Sequence, residues 1–222
     1  MEFQKKPALA HELDILYEDD DLLALNKPRG CLVEGIAGGE RSLSDKVVQL
    51  RGDKARALHR LDRETTGIVL FAKNGRWNRE WSALFERKRI RKAYFALTLG
   101  SWDRRIGRVD TNIALKGKGV WANVDSGGKP ATTTFRLLKE ANGTSWIEAL
   151  PKTGRTHQIR LHCQAVGCPI VGDTLYGQST EGPMMLHAHS VALNLPNGGK
   201  RIEISAALPG DWESWTREEA AR

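Results

Sequence analysis

The sequence has few cysteines and no long apolar segment. Its 222 residues include three cysteines, and no apolar run approaches the roughly 18–20 residues that a membrane-spanning helix needs. The first seven residues, Met-Glu-Phe-Gln-Lys-Lys-Pro, lack the apolar core of a signal peptide. Three cysteines without an export signal argue against a disulfide framework. We therefore expect a cytoplasmic protein that does not associate with membranes.

Motifs for nucleotide binding are also missing. The sequence contains neither a Gly-x4-Gly-Lys-Ser/Thr loop nor a Gly-x-Gly-x-x-Gly fingerprint. Six histidines and cysteines between positions 157 and 189 suggest zinc, but their His-x4-His and Cys-x4-Cys spacings differ from the tight pairs of structural zinc sites. We expect no cofactor and no metal.

Acidic charge is scarce in one part of the chain. The formal net charge is +7, from 34 Lys and Arg against 27 Asp and Glu. Residues 1–26 have a net charge of −5, residues 27–92 of +9 and residues 93–222 of +3. A local basic excess indicates a polyanionic partner, although a solvated surface is the common alternative.

The order of apolar and turn residues predicts an α+β fold. Residues 13–17 and 22–26 flank an acidic turn and predict an antiparallel hairpin, and the dense apolar run 67–72 predicts a buried strand. Further strands are predicted at 93–99, 108–115, 132–138, 144–150, 184–195 and 201–207. Without repeats or linkers, we expect a mixed, largely antiparallel sheet flanked by helices. We expect this sheet and its helices to form a single domain over 13–222, after a short extension at 1–12.

Helical spacing occurs in a few segments between the strands. The first helix is expected to be capped by Ser42 or Ser44, and the second by Asn74. A third helix is predicted over 156–166, with Thr156 as its cap. The polar C-terminal tail 211–221 is also expected to be helical.

The first candidate site is the segment 59–67, His-Arg-Leu-Asp-Arg-Glu-Thr-Thr-Gly, directly before a buried strand. Asp62 lies between Arg60 and Arg63, and neighbouring positive charge keeps a carboxylate ionised. An ionised carboxylate suits a nucleophile better than a proton donor. The alternative is a surface loop of ion pairs.

The second candidate site is the segment 152–162 at the predicted third helix. On that helix, His157, Arg160 and Gln164 share one face. Gly154 and the helix start are expected to direct backbone N–H groups at an anion, with Arg155 beside them. The alternative is a polar face turned to water. Together, the two sites contain the parts of a charge-assisted acid–arginine pair.

The motifs in and around these sites resemble those of the RluA family of pseudouridine synthases. The segment 59–67 is similar to the family pattern His-Arg-Leu-Asp-x-x-Thr-Ser-Gly. Segments that agree with other family motifs, in the same order, are 25–28 (Leu-Asn-Lys-Pro), 91–97 (with its Lys-x-Tyr), 128–135, 154–162, 172–177 and 186–188. Several ordered motifs over residues 14–205 are far more specific than a single match.

The resemblance implies a role for individual residues. Asp62 is implied to be the catalytic aspartate, Tyr94 to pack on the target uracil, and Arg160 to pair with the aspartate. Arg60 matches the residue that fills the gap when the uridine leaves the base stack. Thr66 departs from the pattern, which has serine there. Because the hydroxyl is kept, we expect a local packing change rather than lost activity.

The implied reaction isomerises uridine to pseudouridine in structured RNA. The N1–C1′ bond breaks, the base turns, and C5 joins C1′ of a nucleotide that has been flipped out of the stack. An ionised carboxylate near C1′ stabilises the positive charge that builds up there. Asp62 acts either by attacking C1′ or by assisting loss of a C2′ proton, and Tyr94 either removes the C5 proton or only stacks.

The expected partner is RNA, either ribosomal RNA, transfer RNA or both. Many relatives carry an amino-terminal S4 RNA-binding domain, but only about a dozen residues precede the first predicted strand here, so we expect recognition by the catalytic domain itself. The residues predicted to contact RNA are Arg60, Lys27, Arg63, Arg87, Lys88, Arg89, Arg91, Lys92 and Arg155. The run 87–92 is the densest, with a solvated turn as its alternative.

Two expectations about the whole protein remain. We expect a monomer, because the sequence has neither heptads nor a long exposed apolar stripe. The alternative to an enzyme is an RNA-binding or RNA-chaperone protein that keeps the synthase fold without its chemistry.

Overall fold

A computed structural model describes residues 13–35, 39–117, 119–177 and 182–212. The predicted extension 1–12 and most of the predicted C-terminal helix lie outside these ranges. The chain forms two compact units, and the model confirms the α+β class. The described residues of the first unit are 13–35, 39–90 and 192–207, and the rest belong to the second unit.

Antiparallel strands form the sheet of the first unit. Its strands are β1 (Ile15–Glu18), β2 (Leu22–Lys27), β3 (Arg56–Ala57) and β4 (Thr66–Ala72). The central strand β2 pairs with β1 and with β4, and the short strand β3 pairs with the last two residues of β4, Phe71 and Ala72. Every residue of β4 is buried. The predicted hairpin and the predicted buried strand are both confirmed.

Local capping sets the ends of the first helix, α1 (Leu43–Arg51). The Ser42 side chain accepts a hydrogen bond from the Asp45 N–H, and the Asp45 carboxylate accepts one from the Ser42 N–H. This capping box confirms Ser42 as the cap. Gly52 ends the helix with φ 98°, a backbone conformation that favours glycine.

The second helix, α2 (Asn78–Glu86), begins later than predicted. Its N-cap is Trp77, which makes no side-chain capping bond. Asn74 instead closes the preceding turn, where its Oδ1 accepts from the Arg76 N–H. The prediction of Asn74 as helix cap is therefore wrong, because the asparagine satisfies a turn rather than the helix. Trp81 of this helix is buried in the core.

The second unit is built on a longer sheet. Its strands are β5 (Arg91–Leu99), β6 (Arg108–Gly117), β7 (Val120–Val124), β8 (Lys129–Ala141), β9 (Thr144–Pro151) and β10 (Leu186–Asn194), whose last residues belong to the first unit. Their order is β10-β5-β9-β8-β6-β7, and β5 to β9 pair antiparallel. The edge strand β7 was not predicted. The chain then turns into β11 (Arg201–Ser205), which pairs with β10.

A third helix, α3 (Gln158–Ala165), packs on this sheet. Ile159 and Cys163 from its apolar side join a buried cluster with Phe135, Ile147 and other core residues. Tyr94 packs against the same cluster while remaining partly exposed. None of the helices in the described ranges is long and apolar enough to cross a membrane.

Candidate active site

Asp62 lies in the loop that leads into β4. The loop turns tightly, since the Thr65 N–H donates to the Asp62 carbonyl at 3.2 Å. Thr65 and Thr66 behind it are buried, whereas the Asp62 side chain is half-buried. Asp62 therefore lies on a tightly turned backbone and remains partly exposed.

Lys27 anchors this loop from inside the first unit. Its side chain is fully buried, and its Nζ donates to the carbonyls of Pro28, Cys31 and Arg63 at 2.9, 2.8 and 2.8 Å. Burial lowers the pKa of Lys27 to about 8, so it remains charged at neutral pH. The prediction of Lys27 as an RNA contact is wrong, because all three of its donors are used by the backbone.

The arginines on either side of Asp62 point to solvent. The Arg60 side chain is 70% exposed, with Glu34 as an ion-pair partner at 3.5 Å. Arg63 pairs with Glu40 and donates to the Gly30 carbonyl at 3.3 Å. Because both guanidinium groups are exposed, their ion pairs are weak and can be exchanged for phosphates.

His59 has a structural role in the same segment. Its Nε2 accepts a hydrogen bond from the Leu70 N–H at 3.1 Å, and its ring lies 5.7 Å from that of Phe85. The histidine thus connects the site loop to the buried strand β4.

Tyr94 and Lys92 lie on the same side of β5, because alternate residues of a strand share one face. Tyr94 pairs with Ala149 of β9. Burial lowers the pKa of Lys92, and its Nζ makes no hydrogen bond or ion pair with any residue in the described ranges. Gly154 lies beside it, since a Cβ built there would be 3.6 Å from the Lys92 Nζ. A desolvated ammonium group of this kind attracts an anion.

Arg160 is held by a carboxylate that the sequence analysis did not single out. Its Nε and Nη2 donate to Oδ2 and Oδ1 of Asp173, both at 2.7 Å. Both side chains are buried, and the Tyr176 ring centre lies 5.0 Å from the Arg160 Cζ. Arg160 is therefore not part of a solvated helix face. Its pairing with Asp62 stays a prediction.

The start of α3 differs from the prediction. The helix begins at Gln158, its N-cap is His157 with φ 56°, and no side chain caps it, so the prediction of Thr156 as cap is wrong. The Arg155 N–H donates to the Gln158 Oε1 at 3.0 Å. This N–H is already bonded, so it does not face an incoming anion as predicted. The Arg155 side chain donates to the Pro130 carbonyl through Nε.

His162 lies at the centre of a buried network on α3. Thr111 donates to Asn123, so its oxygen accepts from the His162 Nε2, and the Nδ1 accepts from Thr133 at 2.9 Å. Burial lowers the pKa of His162 to about 4, against a weaker opposing effect of the Asp110 charge. The histidine is therefore neutral in the folded protein.

This histidine makes folding stability depend on pH. The unfolded chain binds the His162 proton with an ordinary pKa of 6.5, and the folded protein with one of about 4. Stability is therefore lost as the pH falls between these values, by up to roughly 3 kcal/mol. Urea unfolding from pH 7 to pH 4 should show this loss in the wild type and a smaller one in His162→Gln. If both proteins lost the same free energy of unfolding between pH 7 and pH 4, the lowered pKa of His162 would be contradicted.

The basic run 87–92 begins with three consecutive exposed residues. Arg87, Lys88 and Arg89 follow α2 and are all exposed, as is Arg91 at the start of β5. Lys88 adopts a left-handed backbone with φ 54°, which turns the chain sharply at this point. Residues 87–89 thus form an exposed basic turn that is available to a polyanion.

The residues that sequence reasoning missed are Asp173 and Tyr176. Both lie in the segment 172–177, whose motif was recognised without a role for either side chain. The paired glycines were the available signal, because a Cβ on Gly172 would collide with the Pro183 carbonyl and one on Gly177 with the Asp173 carbonyl. Such close backbone contacts indicate a tightly packed turn, in which the side chains of Asp173 and Tyr176 are held in place.

The histidines and cysteines in the described part of the chain do not form a metal site. Within the described ranges, no group of three or more His, Cys, Asp or Glu side chains is arranged to hold a metal ion. Cys163 is buried in the apolar cluster of the second unit, and burial raises its pKa.

Comparison with known proteins places this arrangement among RNA-modifying enzymes. Residues 21–165 match the model of a family described as RNA pseudouridylate synthase. The chain is 39% identical over 206 residues to the ribosomal large subunit pseudouridine synthase C of Rickettsia felis. The match covers 88% of this chain and 67% of that protein. It is 37% identical over 211 residues to the protein of the same name from Vibrio cholerae, covering 90% and 67%.

A solved structure agrees with the sequence matches. The human RNA pseudouridylate synthase domain containing 4 superposes with a TM-score of 0.74 at 26% identity and covers 90% of both chains.

Proposed function

Because this chain belongs to the RNA pseudouridylate synthase family and is an RNA pseudouridine synthase, we propose that it modifies a uridine of large-subunit ribosomal RNA, with Asp62 as the catalytic carboxylate. The family and the enzyme class predicted from the motifs are confirmed. Together they disfavour the RNA-chaperone alternative.

The choice of RNA rests on a single observation. The relatives that are 37–39% identical over 88–90% of this chain are named as ribosomal large subunit enzymes. A transfer RNA substrate is the alternative from the sequence analysis. Incubating the purified protein with large-subunit ribosomal RNA and with bulk transfer RNA, each labelled with tritium at uridine C5, tests the proposal. Release from ribosomal RNA is expected, and release from transfer RNA alone would contradict it.

In this proposal, Asp62 acts on the sugar of a flipped-out uridine. As the N1–C1′ bond breaks, positive charge builds up at C1′, and a carboxylate that remains ionised stabilises it. The half-buried Asp62, on a backbone anchored through Arg63 to Lys27, supports this role. It acts by attack at C1′ or by assisting loss of the C2′ proton.

Tyr94 and Arg160 complete the proposed site. Tyr94 is partly exposed while its ring packs on the core cluster, which supports a platform for the uracil and a position from which to remove the C5 proton. Arg160 is proposed to pair with Asp62 and keep it ionised. Lys92, on the same face as Tyr94, supplies a desolvated cation for a nearby phosphate.

We also propose that the two compact units act as one catalytic domain. Asp62 belongs to the first unit, whereas Tyr94 and Arg160 belong to the second. The family match at 21–165 includes residues of both, which supports a shared function. A monomer and a cytoplasmic location remain part of this proposal.

The basic turn is proposed to bind the RNA backbone. Replacing Arg87, Lys88 and Arg89 together by glutamine should raise KM and leave kcat unchanged. It should also reduce the slope of log affinity against log salt by about 2–3, because each of the three lost phosphate contacts lowers the slope by about 0.7–0.9. Steady-state tritium release measures KM and kcat, and filter binding at several salt concentrations measures the slope.

A matched triple variant controls for net charge. Replacing Arg104, Arg105 and Arg108 by glutamine removes the same charge from another exposed segment, where Arg105 and Arg108 pair with local aspartates. Equal salt slopes for the two triple variants would contradict a specific role for the basic turn.

A further inference from the structure

Asp173 holds one edge of the Arg160 guanidinium. The two parallel hydrogen bonds, each 2.7 Å long, form a bidentate pair between side chains that are 6% and 1% exposed. Buried bidentate pairs fix the plane of the guanidinium as well as its charge. Burial by itself would raise the pKa of Asp173, but the hydrogen bonds and charge of Arg160, with two backbone N–H groups, lower it. Asp173 is therefore a carboxylate in this pair.

The carboxylate of Asp173 is itself fixed by its turn. Its Oδ1 accepts from the N–H groups of Leu175 and Tyr176 at 3.0 and 3.1 Å. The turn closes through a hydrogen bond from the Gly177 N–H to the Asp173 carbonyl at 2.8 Å. The position of Arg160 is thus set by backbone rather than by another mobile side chain.

Tyr176 supports the guanidinium from a second direction. Its ring lies 5.0 Å from the Arg160 Cζ, within the range of a cation–π contact. The ring is held in turn, because its hydroxyl accepts from the Trp121 N–H at 3.2 Å and is hydrogen-bonded to the His157 Nδ1 at 2.7 Å. Arg160 therefore contacts a fixed carboxylate and a fixed ring.

We propose that Asp173 is a positioning residue, which holds the Arg160 guanidinium in the orientation that its role in the reaction requires. The inference rests on the proposed role of Arg160 as the partner of Asp62. Asp173 binds the edge of the guanidinium that is formed by Nε and Nη2, so it fixes both the plane and the direction of the group. A guanidinium that is held in this way keeps its charge at one place in the site.

The test is a double-mutant cycle on tritium release. Asp173→Asn is expected to lower kcat about 10- to 100-fold, because the guanidinium is misplaced. KM for the RNA should not change, since Asp173 is buried and does not contact the substrate in this proposal. In an Arg160→Lys background, which already lacks the bidentate pair, adding Asp173→Asn should have little further effect.

Asp103→Asn is the matched control. It breaks an Asp–Arg pair of similar geometry on the surface of the same unit, between Asp103 and Arg105, and should leave kcat unchanged. Should Asp173→Asn fail to fold, as judged by circular dichroism, Tyr176→Leu takes its place in the cycle. It removes the ring and leaves the Asp173 pair, and its kcat loss should likewise vanish in the Arg160→Lys background.

Two kinds of result would overturn the inference, and they are distinguishable. If Asp173→Asn lowered kcat equally in the wild-type and Arg160→Lys backgrounds, or raised KM with kcat unchanged, the positioning role would be contradicted. The proposed function would remain intact. A wild-type kcat for Arg160→Lys alone would instead contradict the role proposed for Arg160, and the inference with it.

Discussion

Asp62→Asn is expected to abolish the release of tritium from RNA labelled at uridine C5, by at least roughly 10³-fold in kcat. Asparagine keeps the shape of the side chain but has no negative charge to stabilise C1′ or to attack it. RNA affinity should not fall, because the side chain is half-buried and the basic residues around it are unchanged. Single-turnover release and filter binding on the same preparation measure the two quantities.

Asp53→Asn is the control for this prediction. Asp53 is an exposed aspartate in the same unit, so its replacement removes an equal charge from that unit without changing the loop of Asp62. It should retain full activity. Substantial tritium release by Asp62→Asn would show that this carboxylate does not carry the chemistry.

Lys27→Met is expected to lower the free energy of unfolding more than the other substitutions do. It should also reduce activity. Methionine fills a similar volume, but the carbonyls of Pro28 and Cys31 lose the donor that the buried Nζ provides. Leaving buried carbonyls unpaired costs roughly 2–4 kcal/mol in total. The Arg63 carbonyl also loses its bond to Lys27, so the loop that carries Asp62 loosens.

Urea unfolding and tritium release, measured where the variant is still folded, test this prediction. Lys54→Met is the matched control, because Lys54 is exposed in the same unit and its replacement should change stability little. If Lys27→Met unfolded at the wild-type urea concentration and weakened only RNA binding, Lys27 would be a phosphate contact after all.

Local rules made much of the fold predictable from the sequence. The β1–β2 hairpin follows from two apolar runs around an acidic turn, and α1 follows from the capping box of Ser42 and Asp45. The buried strand β4 follows from its unbroken apolar run. Each of these signals lies within a few residues of the element that it determines.

What could not be predicted depends on distant partners. The sequence shows Lys27 as one base among seventeen in residues 27–92, and only the fold shows that its charge is directed at the carbonyl of Arg63, 36 residues away. Asp173 is likewise 13 residues from Arg160, on another element. The edge strand β7 is only five residues long, and none of its residues is buried although four of them are apolar. No periodic signal marks it.

The most direct test of the central claim is to map pseudouridines in total RNA from cells that lack this protein. Carbodiimide-blocked reverse transcription should show at least one pseudouridine missing from large-subunit ribosomal RNA. The wild-type gene should restore that site, and the Asp62→Asn variant should not. Unchanged maps in the deficient cells, or restoration by Asp62→Asn, would contradict the account.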